Sequence, residues 1–418
     1  MDFVVQRNGI SVNILSINTF FPCPPRRGMD VIYLNLLKLQ ATEHKVTIVT
    51  LSRSGNEDRH LDDLAAYCDR VVLVKPRNVD SRLYKVWYRI LYSLLSVVLW
   101  RPRCTFYGAP PELRAAIRGL VADAKFDLVE IHHSTSASLR RDVGRVPCAL
   151  YLYDLHFRAK ERLAATKHGI GKLLARLEAS QFRRFETQVL QYFDLLLLGQ
   201  HQDKAVVDRL AVDSRNVALM PNVIDTDIIV PHNTYQPASK IAVFVGAMTH
   251  HANVDAVLHF FRNAWKEIRS RVPDAEWWIV GGSPPPEIRS LHGTQGVTVH
   301  ADVPDVRPYI SAASVYIAPL RIGSGVKVKI MEALSLGKAI VATDIAAEGM
   351  GLTPGRDLEV ADLDKPFADA VVRLWQDDRH RETLEHNARK AAVDLFGVSA
   401  GRCALTRIYA YLVDATTP

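Results

Sequence analysis

Twice along this chain, short runs of β-branched residues and leucine alternate with helical patterns. A single Pro-, Asn- and Asp-rich stretch parts the two series. The first series contains "VNILSI" (12–17), "KVTIVTL" (45–51), "RVVLVK" (70–75), "DLVEIHH" (127–133), "ALYLYD" (149–154) and "DLLLLG" (194–199). Several runs are continuously apolar, as strands covered on both faces are. Segments such as "IYLNLLKLQATE" and "PPELRAAIRGLVADA" lie between them with helical spacing. That alternation predicts a parallel sheet wrapped by helices. The linker is "PNVIDTDIIVPHNTYQPASK", residues 221–240. Beyond it the alternation restarts with "IAVFVG" (241–246), "EWWIVGG" (276–282), "VTVH" (297–300), "VYIAPL" (315–320), "AIVAT" (339–343) and "LEVA" (358–361). A chain of 418 residues exceeds one ordinary core. The expectation is α/β with two doubly wound domains, 1–220 and 221–400. Ligands of such sheets sit at the carboxyl ends of the strands, so a cleft between the domains is the default site. No short-period repeat is visible.

Composition narrows the class. Hydrophobic residues make up 48% and charged residues 23%, a globular balance. Five cysteines, at 23, 68, 104, 148 and 403, are dispersed and odd in number. Without CxxC spacing they form neither a disulfide framework nor a zinc site, and they fit reduced thiols in the cytoplasm. The start, "MDFVVQRNGISVNILSI", has no basic n-region or small-residue cleavage site and reads as a first strand. The most apolar stretch, Ile90 to Trp100, is shorter than the roughly 20 residues that span a bilayer. Charge is uneven. Residues 1–220 hold 32 Lys+Arg against 22 Asp+Glu, whereas the rest hold 20 against 23. The front half therefore suits an anionic partner, nucleic acid or a membrane surface.

The densest chemical signal is "RIGSGVKVKIMEALSLGKAIVAT", residues 321–343. A strand ends, a glycine-rich turn follows, and a helix is expected from about Val326 to Leu336, stopped by Gly337. A helix start offers unpaired N–H groups and the positive end of a dipole, and glycine lets a phosphate approach them. Lys327 adds full charge, and Glu332 lies where a carboxylate can accept two ribose hydroxyls. This reads as a nucleotide-diphosphate site; the plain alternative is a solvated lysine and a helix-stabilising Glu. GxGxxG fails because Val328 stands where glycine is required. The P-loop fails because Thr166 and Glu332 stand where its first glycine belongs.

The segment resembles the donor-binding motif of retaining glycosyltransferase family 4, which has the GT-B fold of two Rossmann-like domains facing across a cleft. "VFVGAMTHHANVDAVLHFF", "VPDAEWWIVGG", "MPNVID" and "DVPDVRPYISAASVYIAPLRIGSGVKVKIMEALSLGKAIVATDIAAEG" carry the likeness in the back half. "PPRRGMDVIYLNLLKLQATEHKVTIVTL", "FDLVEIHHS" and "YDLHFRAKERL" carry it in the front half. The subgroup that looks most similar is the sugar transferases of bacterial exopolysaccharide clusters. The resemblance implies that 1–220 binds acceptor, that 221–400 binds nucleotide sugar, and that the 401–418 helix packs back towards the front domain. It also implies that Glu332, the second acid of a Glu-x7-Glu motif, binds ribose. The first acid falls on Ser324. The family's diphosphate-gripping Arg and Lys fall on Ala247 and Asn253. Charge must then come from Lys327, with Lys329 or Arg321 in support, beside Gly325, Val326 and the close-approach Gly246.

In the front half the resemblance places Gly28 in a loop over the phosphates and His132 near the transferred sugar. From the residues alone, "PPRRGM" is a basic turn in which Arg26 or Arg27 can hold an anionic acceptor. Asp154 and His156 either line the acceptor cleft or cap a turn. Residues 82–103, "RLYKVWYRILYSLLSVVLWRPR", mix Trp, Tyr and Leu with basic side chains. They suit a peripheral contact with an anionic membrane, or a buried helix with basic flanks. The expected function is retaining transfer of a sugar from a nucleotide-sugar donor to a hydroxyl of a glycan or lipid-linked acceptor, in polysaccharide synthesis. It needs no cofactor and no metal, because no acidic cluster suggests one. A nucleotide-sugar epimerase or hydrolase, and a non-catalytic binding protein, are the rivals. Nucleic acid is not expected as a partner, since no recognition motif appears.

Overall fold

The computed structural model describes residues 11–25, 27–53, 55–76, 82–165, 167–210, 216–232, 240–323 and 327–416. The chain divides into two compact units. One comprises 1–222 together with 401–418; the other is 223–400.

The first unit is built on seven parallel strands: β1 (Asn13–Asn18), β2 (Lys45–Leu51), β3 (Arg70–Val74), β4 (Leu128–His132), β5 (Cys148–Leu152), β6 (Leu195–Leu198) and β7 (Val217–Leu219). Their order is β3-β2-β1-β4-β5-β6-β7, with the switch point between β1 and β4. The buried runs follow from position, since β4, β5 and β6 are buried at every residue. Leu15, Ile17, Val129, Ile131 and Leu150 form the centre of one core with Phe182 and Phe185. The helix Val398–Thr416 carries Tyr409 into this unit. The Tyr409 hydroxyl donates to Glu130 Oε1 (3.0 Å), and Gln40 Nε2 donates to the other carboxylate oxygen (2.8 Å). Burial pushes the Glu130 carboxyl up, and these donors only partly restore the charged form.

The second unit holds six parallel strands: β8 (Ile241–Val245), β9 (Glu276–Gly281), β10 (Val297–Ala301), β11 (Val315–Ala318), β12 (Ile340–Ala342) and β13 (Glu359–Val360). Their order, β10-β9-β8-β11-β12-β13, repeats the same doubly wound plan. Alternate residues serve two cores. Phe244 and Ile317 join Trp265, Trp277 and Phe367 on one face. Val243, Val245 and Tyr316 meet Ile330, Met331 and Leu334 on the other. The ends of β8 and β9 approach so closely that a Cβ on Gly281 would lie 1.9 Å from the Gly246 carbonyl oxygen. Glycine at 281 is therefore a packing requirement, independent of any ligand.

Candidate functional site

In the second unit, β11 runs towards the helix Val328–Ser335, with Lys327 in the N-cap position. Residues 324–326 separate them, so Ser324, Gly325 and Val326 lie outside the described residues. The helix forms here because Val328, Ile330, Met331 and Leu334 are all buried beneath β11 and β12. Gly337 ends it with φ +63°, a left-handed C-terminal conformation that glycine adopts without strain. Lys327 is thereby fixed at the positive end of the helix dipole. Glu332 is buried one turn in, and Lys329 Nζ donates to its Oε2 at 2.8 Å. Asp305, paired with Arg307 at 2.7 Å, has its carboxyl held low by that guanidinium. Arg321 is turned to the helix His251–Phe260, 2.9 Å from His259 Nδ1 and 3.6 Å from Asp255.

Gly246 follows β8, and the Asn253 amide packs against it, within 2.7 Å of where a Cβ would stand. Asn253 Nδ2 donates to the Ala247 carbonyl (2.8 Å). The two positions that depart from the resembled family thus form a closed turn that carries no charge.

In the first unit, β1 leads to the helix Gly28–Ala41. Arg27 precedes it and grips Asp30 (2.7 Å), closing a capping box, so Gly28 is the first helical residue. Arg26 lies outside the described residues. The guanidinium carbons of Arg27 and Arg53 stand 4.7 and 4.5 Å from the Phe20 ring centroid, and the His133 ring meets that ring edge-on at 5.5 Å. Cation–π contact holds both arginines beside β1.

His132 is fully buried. One ring nitrogen is 3.0 Å from Ser16 Oγ and the other 3.0 Å from the Tyr153 hydroxyl. Burial pushes its pKa down to about 3, so it is neutral, and Glu130 at 3.9 Å makes no ion pair with it. As placed, it is a positioning residue inside the sheet. Its neighbour His133, at φ +74°, is instead turned to a cavity of about 880 Å³. A positive φ at a non-glycine residue is stored strain, and it accumulates at functional sites. Arg53, Arg103, His156, Lys160 and Glu178 line the same cavity.

His156 begins the helix His156–Ala165, stacked on Phe182 at 5.4 Å. Behind it lies Glu186, fully buried, from the helix Gly169–Val189. Glu186 accepts from the His156 and Phe157 backbone N–H groups (3.2 and 3.0 Å) and from Ser134 Oγ (2.5 Å), and its Oε1 is 3.3 Å from His156 Nδ1. Burial alone would lower the His156 pKa, but Asp154 and Glu186 outweigh it and raise it to about 9. A folded-state pKa above the ordinary ~6.5 stabilises the fold fully below that value and loses the contribution as pH rises through about 9. We expect the melting temperature to fall between neutral pH and pH ~10, with His156→Gln flattening that part of the profile. A wild-type profile parallel to that of His156→Gln would refute the raised pKa.

Sequence reading named Asp154 and His156 but not Arg53 or Lys160, which line this cavity, nor Glu186, which lies behind His156. Among the described residues no cluster of three or more His, Cys, Asp or Glu could hold a metal ion. Among them, no helix is long and apolar enough to cross a membrane.

Two Rossmann-like parallel-sheet units define the GT-B class of fold. Residues 239–377 match the family model described as Glycosyl transferases group 1. Solved structures agree over nearly the full length. Sucrose-phosphate synthase from Thermosynechococcus elongatus is 16% identical with a TM-score of 0.71, covering 97% of this chain and 100% of that one. HepE of Anabaena, in complex with UDP, is 12% identical with a TM-score of 0.65, covering 96% and 100%. TarM is 9% identical with a TM-score of 0.68, covering 96% and 98%. No curated protein matches. The domain match and the fold support a glycosyltransferase.

Proposed function

We propose that the chain is a retaining, metal-independent family 4 glycosyltransferase. It moves a hexosyl group from a nucleotide-diphosphate sugar to an acceptor hydroxyl at the cytoplasmic face of a membrane, in surface-polysaccharide synthesis. The observation that carries the reading is Lys327 at the helix start with buried Glu332 one turn in, both inside the matched 239–377 segment. HepE, which was solved with UDP and with UDP-glucose, supports a donor of that chemistry. In the reaction the bond from C1 to the diphosphate breaks and the acceptor oxygen bonds to C1. The acceptor proton passes to the leaving phosphate on the same face. Lys327 and the helix amides stabilise the charge that develops on the diphosphate. Glu332 fixes the ribose, and Arg321, Lys329, Gly28 and Gly246 complete the donor surroundings. His132 acts by holding Ser16 and Tyr153, and Arg27, Asp154 and His156 belong to the acceptor side.

A thermal-shift screen of nucleotide sugars tests the reading. One donor should raise the melting temperature, since ligand binding to the native state adds stability by mass action. That donor, incubated with EDTA and candidate acceptors, should yield a product of unchanged anomeric configuration. Epimerised or hydrolysed donor formed at full rate without acceptor would overturn transfer, and no response to any donor would overturn the site.

A further inference from the structure

We infer that the acceptor is an amphiphile, a membrane lipid whose phosphate-bearing head group enters the first unit's cavity while its hydrocarbon lies against two neighbouring helices. As an acceptor assignment this rests on the glycosyl-transfer reading. The surface itself is argued from independent observations.

The helix Arg82–Val98 and the helix Gly169–Val189 each carry an apolar stripe that is exposed among the described residues. On the first, Trp87, Ile90, Leu91, Leu94, Val97 and Val98 recur at helical spacing and are exposed, Trp87 by 71% and Val98 by 78%. On the second, Ile170, Leu173, Leu174 and Leu177 recur at i, i+3, i+4 and i+7, with Ile170 79% exposed. A soluble helix turns such a stripe inwards. The second half of the same Gly169–Val189 helix does so, with Phe182, Phe185 and Val189 buried. The stripes are neighbours, because Gln181 Nε2 donates to the Ser96 carbonyl at 3.1 Å. A continuous exposed patch of this kind marks an interaction surface.

Three features favour lipid over a protein partner. The patch is continuous with the cavity, since Val97, Trp100, Leu174 and Leu177 belong to its lining. The same lining is also cationic, with Arg53, Arg103 and Lys160 beside His133 and His156; Glu178, paired with Lys160 at 2.8 Å, is the acid among them. Apolar and cationic side chains lining one cavity match a chain that is greasy at one end and anionic at the other. Finally, the stripes are flanked by cations. Five basic and no acidic residues lie between Arg82 and Arg103, and Lys172 and Arg176 interleave the second stripe. That is the pattern of a helix lying in a bilayer interface with anionic head groups.

The test uses the full chain and three probes. Vesicles of phosphatidylglycerol and phosphatidylcholine should co-sediment the protein, and pure phosphatidylcholine vesicles should do so far less. The triple variant Leu94→Glu, Val98→Glu, Leu173→Glu should lose at least about tenfold in vesicle affinity, as should wild type at ~1 M salt, where the screening length falls to ~3 Å. Dodecyl phosphate should bind saturably, more tightly than dodecyl maltoside or inorganic phosphate. Arg103→Ala combined with Lys160→Ala should weaken it by at least about tenfold, because charge-assisted contacts are lost. The idea fails if the triple variant binds vesicles as wild type does. It fails equally if the patch proves to be a dimer interface, with wild type dimeric and the variant monomeric. Dodecyl phosphate binding no better than dodecyl maltoside would remove the head-group assignment. Nucleotide-sugar calorimetry on the same preparations separates the two readings. Donor binding without lipid binding defeats this inference alone, and lipid binding without donor binding defeats the transferase reading alone.

Discussion

Replacing Lys327 by alanine is expected to weaken nucleotide-sugar binding roughly 10–100-fold, the loss expected for one charge-assisted contact to a phosphate. The expectation follows from what surrounds the diphosphate position in this chain. The resembled family neutralises that charge with an Arg and a Lys after the first strand of its second domain. Here those positions are Ala247 and Asn253, and Asn253 spends its amide on the Ala247 carbonyl. The N-cap lysine thus carries more of the burden than it would in a chain with the usual pair. The helix core beneath it, Met331 and Leu334, does not depend on its side chain, so Lys327→Ala should melt within about 1 kcal/mol of wild type. Calorimetry with the donor from the thermal-shift screen checks the affinity. Undiminished binding would remove Lys327 from the site. Lys327→Arg, which keeps the charge, should restore part of the loss.

Much of this site was legible in one stretch of sequence because its parts are local. Strand, glycine turn, lysine and buried acid fall within a score of residues, and the periodicity that buries Met331 also fixes which way Glu332 turns. The same holds for the strands, whose continuous apolar runs announce burial on both faces. Among the described strands β7 alone escaped, since three half-buried residues give no period to read. The first unit's cavity is the opposite case. His133 and Lys160 stand near motifs that drew attention, but Glu186 sits near the end of the Gly169–Val189 helix, 30 residues from His156. Nothing in its own neighbourhood sets it apart from a surface glutamate. His132 illustrates the limit differently. Both histidines at this strand end are buried, and the pattern alone does not say which one is sealed between Ser16 and Tyr153 and which one lines the cavity.

Glu186 is where the second large effect is expected. The carboxylate is fully buried and holds two amides at the start of the His156–Ala165 helix, the Ser134 hydroxyl and the His156 ring. Glu186→Ala would leave the helix start unsatisfied and take away one of the two acids that face the half-buried His156 ring, a change that costs about 3–5 kcal/mol. Glu186→Gln separates the contributions. Its amide oxygen can still accept from a backbone N–H, so the expected loss is only about 1–2 kcal/mol. The His156 pKa, however, should fall towards its ordinary value, because a negative charge no longer faces the ring. Denaturant unfolding of the two variants, together with NMR titration of the histidine, checks both parts. A Glu186→Ala protein as stable as wild type would show that the carboxylate caps nothing that matters. An unchanged His156 titration in Glu186→Gln would place the source of the raised pKa at Asp154 alone. Because Glu186 and Lys327 belong to different compact units, Glu186→Gln should leave donor affinity intact while dodecyl phosphate binding weakens. Lys327→Ala should do the reverse. That double dissociation would show directly that the two units serve the two substrates separately.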